Sequence, residues 1–302
     1  MKYKNFIKEK FAVAGVIEAL LLVALVVVIL STIQLIYVPQ IMEQRESDHM
    51  DEVANQFSHL KSIIEIQSMM GVSGSQESLA FYPMSSPITL GSNRLPYFVS
   101  VAAHGKIDIF DQNKVENARI SISNAPLADI TIPLTSVKFY GYNYYFPKGS
   151  PGQEYILEGG GIILKQFDGE IMKVVPAITI EETPPNNLQF NYVIPIFSSF
   201  PGKNSTTGYK GDYIYTNYSS HSNYTDTNVA YIQIYTDYLD AWFESLIEDD
   251  NGILWNFINN NEISVEKKSD HIEIKPSGKN IDVKFTKIII EIQTGPGFVL
   301  RG

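Results

Sequence analysis

A chain of 302 residues with 18 Tyr, 16 Phe and no Cys can bury a sizeable core, but disulfide staples, thiolate catalysis and Cys-ligated zinc are excluded. Its net charge of −10 argues against a nucleic-acid partner, because neutralising phosphates needs clustered Lys and Arg. The charge is uneven: Lys2, Lys4, Lys8 and Lys10 face only Glu9 within residues 1–10, so the body beyond this basic arm is the acidic part.

Residues 11–38 are almost wholly apolar, and ALLLVALVVVIL at 19–30 is unbroken. At ~1.5 Å rise per residue such a helix exceeds the ~30 Å hydrocarbon thickness, which makes a lipid bilayer its expected surroundings. Lysines precede the segment and Gln40, Glu43, Glu46 and Asp48 follow it, so the positive-inside bias puts residues 1–10 in the cytoplasm and the rest outside the cell membrane. A cleaved secretory signal is the alternative. Its apolar region is shorter, about 7 to 15 residues, and Ser31-Thr32-Ile33 offers no small-x-small site after Leu30. Glu18 is anomalous, because a carboxylate at membrane depth is costly unless shielded, protonated or partnered. The plain explanation is that it reaches the headgroups of the cytoplasmic interface.

The run AVAGVIEALLLV at 12–23, behind a lysine-rich arm, resembles the start of archaeal type IV pilin-like proteins, which carry a class III signal peptide. The resemblance implies a prepilin-type peptidase that cuts after a small residue, here Ala12. It also implies an apolar helix that packs with copies of itself or other pilin-like subunits in a type IV pilus or related extracellular filament. Glu18 would then be a filament carboxylate that meets a neighbouring subunit's terminal amine. Phe11 departs from the pattern, standing where that family usually has Arg or Lys, with Lys10 one position further out.

Beyond Pro39, Met50, Val53, Phe57, Leu60 and Ile64 recur at helical spacing, which predicts a helix that breaks or bends near Pro39, resumes and ends at Gly71. The stripe suits a face packed on its own domain or a coiled-coil seam. After Gly71 the texture becomes short β-rich runs: 97–102, 107–110, 118–122, 130–133, 137–144, 155–157, 161–166, 171–175 and 188–196. Asp168-Gly169 reads as a type I′ hairpin turn. Gly159-Gly160-Gly161 lacks the Lys-Ser/Thr of a phosphate cradle and reads as a bulge or a close backbone contact.

Residues 198–228 are rich in Ser, Thr, Asn and Tyr and read as a surface loop region around one short strand at 212–215. Three sequons in it make Asn204, Asn217 and Asn223 glycosylation candidates, although Asn and Ser are also simply common in loops. A strand at 229–235 leads to an amphipathic helix at 236–249, where Leu239, Trp242, Phe243, Leu246 and Ile247 share one face and Thr236 or Asp237 caps the start. The end reads as a meander at 262–266, 271–275 and 280–292. Together with Glu158-Gly159-Gly160-Gly161-Ile162-Ile163 ahead of Gln166, Asp168 and Gly169, the Trp242 helix and this meander are similar to an uncharacterised group of archaeal envelope proteins, a similarity that brings no activity.

His49, His59, His104, His221 and His271 are scattered, without HExxH or an i,i+4 pair, so no metal site is expected. Asp240, Glu244, Glu248, Asp249 and Asp250 read as a solvated face, and the Tyr and Phe clusters at 139–146 and 209–235 as strand packing or a contact platform. No residue acquires a catalytic role and no cofactor is implied. The expected fold is mainly β, a sandwich or barrel-like ectodomain with a long N-terminal transmembrane and stalk α-helix and one further amphipathic helix. Its parts are a cytoplasmic arm at 1–10, a membrane helix at 11–38, a stalk at 39–71, a β-rich domain at 72–197, the loop region at 198–228 and the strand, helix and meander of 229–302. The expected function is that of a pilin-like surface protein in assembly, adhesion or envelope scaffolding, not an enzyme. A sensing or ligand-binding ectodomain is the alternative, with a surface hydrolase behind it.

Overall fold

The computed structural model describes residues 3–73, 83–115, 117–123, 130–145, 152–248, 252–295 and 297, with side chains from residue 14 onward. The chain is mainly β, with one long N-terminal helix and two short ones. The long helix comprises α1 (Tyr3–Thr32), a π-turn (Ile33–Tyr37) and α2 (Val38–Ser73). Its described part is apolar enough and long enough to cross a membrane. No residue from 14 to 32 is buried, so among the described residues this part of the helix has no packing partner.

The expected break or bend near Pro39 takes the form of a π-turn within a helix that does not stop. Pro39 has no N–H to give the carbonyl four residues back, and its ring crowds that carbonyl. Val38 N–H donates five residues back to the Ile33 carbonyl, which absorbs the defect without ending the helix. Beyond it the stripe packs on its own domain: Met50, Val53, Phe57, Leu60 and Ile64 are all buried. Polar pins fix the register. Glu46 accepts from the N–H groups of Tyr144 and Tyr145 at 3.0 and 2.6 Å, Thr89 N–H donates to Gln56 Oε1 at 2.8 Å, and Gln67 Nε2 donates to the Thr216 carbonyl at 3.0 Å.

Three sheets form the head. The first has the order β1 (Met84–Thr89), β12 (Gly211–Asp226), β16 (Asn280–Thr294), β10 (Asn187–Ser199) and β9 (Ile178–Thr183). The second has the order β11 (Ser205–Gly208), β2 (His104–Phe110), β5 (Ser136–Tyr142), β6 (Gln153–Glu158), β7 (Gly161–Gln166) and β8 (Gly169–Val174). The third has the order β14 (Ile263–Lys267), β15 (His271–Pro276), β13 (Tyr231–Tyr235), β3 (Arg119–Ser123) and β4 (Ile130–Pro133).

The first sheet lies between two cores. Ile281, Val283 and Phe285 of β16 join Phe190, Tyr192, Ile232 and Trp242 in one core, which the third sheet and helix α3 (Leu239–Ile247) close. Ile288, Ile290 and Ile292, on the opposite face of the same strand, join Phe57, Phe139 and Leu157 in the other, which α2 and the second sheet close. The alternation of Ile281, Val283 and Phe285 with Asp282 and Lys284 buries one face there, as a half-covered strand requires.

Several expectations are corrected. Residues 198–228 are not a loop region around one short strand: they supply β11 and the 16-residue β12, laddered to both β1 and β16. The C-terminal strands are not one meander, because β14 and β15 form a hairpin whereas β16 enters the first sheet beside β10, in parallel. The segment at 97–102 is irregular chain rather than a strand. The hairpin near Asp168 turns through Phe167-Asp168, with Gly169 already paired to Gln166, and neither turn residue is left-handed. The type I′ position is Gly159-Gly160 instead, both at positive φ, between the paired Glu158 and Gly161. A Cβ on Gly159 would lie 2.5 Å from the Tyr192 hydroxyl, so only glycine fits.

Candidate functional site

Sheet ends and the chain that follows β2 enclose a cleft of about 300 Å³. Ser136 and Lys138 enter it from β5, Glu158 from the end of β6, Phe110 from the end of β2, and Asp237 from the turn between β13 and α3. None of the histidines lines it.

Glu158 is the chemical centre. It follows the apolar strand run Tyr155-Ile156-Leu157, and the hairpin at Gly159-Gly160 holds it at the strand end, 2% exposed. Its Oε1 accepts from the Thr236 hydroxyl at 2.6 Å and from Trp242 Nε1 at 3.1 Å. Burial pushes this carboxyl up to about 7, against the two hydrogen bonds and the Lys138 charge, which favour the ionised form. The group therefore holds or releases a proton near neutrality.

Lys138 Nζ lies 3.6 Å from an Asp237 carboxylate oxygen. It stands over the rings of Phe110 and Tyr238, at 4.7 and 4.9 Å from their centroids, which keeps the ammonium in place. Tyr238, Tyr140 and Glu154 continue the same face. Burial pushes both phenols up, Tyr140 to about 12, and raises the Glu154 carboxyl against the pull of Lys165 and Lys138. A near-neutral acid, an ammonium and a carboxylate at one mouth suit a small polar ligand that carries both donors and acceptors.

The helix that carries Trp242 is itself held by a carboxylate. Glu170 on β8 accepts from the N–H groups of Asp240 and Ala241, at 3.0 and 3.4 Å, so the first turn of α3 is satisfied from another strand. This replaces the expected cap. Thr236 faces Glu158, Tyr238 occupies the cap position without a side-chain bond, and the helix is shorter than 236–249.

The residues singled out from sequence lie elsewhere. Ala12 falls in α1, and its side chain lies outside the described residues. Glu18 is exposed on the same helix. Asn204 is half-buried before β11, and Asn223 is exposed on β12 with its Oδ1 accepting from the Thr286 hydroxyl at 2.9 Å. Asn217 is corrected: at 3% exposure inside the sheet, with its amide donating to Glu291 at 3.4 Å, it leaves no room for a glycan on the folded strand. Among the described residues no group of three or more His, Asp or Glu side chains is arranged to hold a metal ion.

Sequence reading passed over Glu158 and Lys138 as site residues. The available signal was a lone Glu that ends an apolar strand run against three glycines, a place where a carboxylate is expensive unless it is bonded. No protein-family model, curated protein or solved structure matches the chain.

Proposed function

We propose that this chain is a membrane-anchored, pilin-like surface protein whose apolar helix half sits in the bilayer and whose acidic β-rich head works outside the cell in assembly, adhesion or envelope scaffolding. One observation carries the reading: a single continuous helix has two chemically different halves. Among the described residues, 14–32 leave every side chain exposed, whereas Met42 to Gly71 include the residues that bury one face in the head. A free apolar half suits lipid or neighbouring subunits. A docked half transmits that anchorage to the head rigidly.

The lysine arm supports an inside N-terminus, and the run from Ala12 through Glu18 to Val23 supports processing by a prepilin-type peptidase. Of the sequons, Asn223, which is exposed, and Asn204, which is half-buried, are the positions we assign to glycans. In this reading the head is not catalytic.

The cleft at Glu158 favours a second reading, a sensing or ligand-binding ectodomain that stays in the membrane as an intact chain. Intact mass and N-terminal sequencing of protein from membranes and from sheared extracellular material separate the two. A first residue of Val13 in the sheared fraction is the expected result. A Lys2-containing arm found only in membranes would overturn the filament role and leave the anchored ectodomain.

A further inference from the structure

The irregular chain between β1 and β2 has an unusual surface. Tyr97 is 104% exposed, Val99 86%, and Phe98 and Val101 nearly half exposed. Four apolar side chains in a short unpaired stretch are costly in water, and Tyr97 is held out at a φ of 66° that non-glycine residues seldom adopt. They form no part of either core.

Position explains them. The loop is tied to the long helix at both ends: Arg45 Nη1 donates to the carbonyls of Asn93 and Arg94 at 3.2 and 3.0 Å, and Gln34 Nε2 donates to the Val99 carbonyl at 2.8 Å. The helical rise of ~1.5 Å per residue puts Gln34 roughly 16 Å nearer the N-terminus than Arg45, so the loop descends along the helix away from the head. Its tip meets the helix inside the apolar segment, where Leu35, Ile36 and Tyr37 are themselves 75%, 52% and 56% exposed. The collar above carries Tyr rings, which collect at membrane interfaces. Arg94 stands over the Tyr209 ring at 5.6 Å, and His104 stacks on Tyr142 at 4.7 Å.

We propose that residues 95–101 are a lipid-inserting loop, a second bilayer contact that enters the outer leaflet beside the helix and sets the height and tilt of the head. The inference rests on the bilayer reading of the helix given above. The occupant is lipid because the patch is continuous with the exposed apolar helix surface and its backbone is bonded to that surface within the same segment.

The absence of cysteine makes the test clean. Single variants Tyr97→Cys, Val99→Cys, Leu22→Cys and Tyr213→Cys of the full chain are spin-labelled and reconstituted into phosphatidylcholine vesicles. Collision with oxygen, which partitions into lipid, is compared with collision with a water-soluble nickel chelate. Labels at 97 and 99 are expected to favour oxygen, as at 22, and labels at 213 to favour the chelate. Lipid exposure at 22 with water exposure at 97 and 99 would sink the loop alone. Water exposure at 22 as well would sink the bilayer reading beneath it. Spin–spin broadening at 97 that vanishes on dilution with unlabelled protein would assign the patch to a second copy and overturn the lipid proposal.

Discussion

Glu158 gives the head a pH response whose sign follows from its environment. Below about 4.5, its ordinary value, the carboxyl is protonated in both the folded and unfolded chain. Between about 4.5 and about 7 the unfolded chain releases the proton while the folded one retains it, so stability falls as pH rises, by on the order of 3 kcal/mol across the window. Above that range the contribution is level. Glu158→Gln keeps an acceptor for Thr236 and Trp242 and removes the titration. Urea unfolding of the detergent-solubilised chain should therefore give a wild-type-minus-variant difference that slopes downward between pH 4.5 and 7 and then flattens. A difference that is constant with pH would refute the assignment.

Helix α3 carries the Trp242 indole that bonds Glu158, and its first turn depends on a partner in another strand. Glu170→Ala removes the acceptor for two backbone N–H groups and the negative charge at the helix start. We expect a loss of about 1 kcal/mol, with Glu170→Gln losing less because it still accepts. Both are readable by thermal unfolding. The amphipathic face of α3 was legible in sequence because Trp242 and Leu246 repeat at helical spacing and are buried. Glu170 as its cap was not, because only the register of β8 brings it there. The same limit explains β12. Its second half is largely exposed and carries no apolar alternation, so periodicity read it as loop, whereas its ladder to β16 makes it a strand. Hydrophobic period reports burial, and backbone pairing leaves no such trace.

At the level of the molecule, the long apolar helix and the stalk stripe were legible because each needs only local composition and spacing. The split of the head into two cores was not, since it depends on which strands the first sheet places at its centre. Residues 14–31 bury no described side chain, so a chain that begins at Thr32 should unfold in detergent at the same temperature as the full chain. A lower midpoint would show that the apolar half supports the head after all.

The parallel pairing of β10 with β16 has a bearing on how the molecule is made. The strand that borders both cores comes after every other described strand, and its parallel partner β10 lies some ninety positions earlier, as the pairing of Asn187 with Asn280 records. Such non-local contacts raise the contact order and delay folding until the loop between them closes. During synthesis the N-terminal helix is available first and the central strand last. In the anchored reading proposed above, the head is thus tethered at one end long before it can close at the other, and the tether keeps the unfinished chain beside the membrane while it waits.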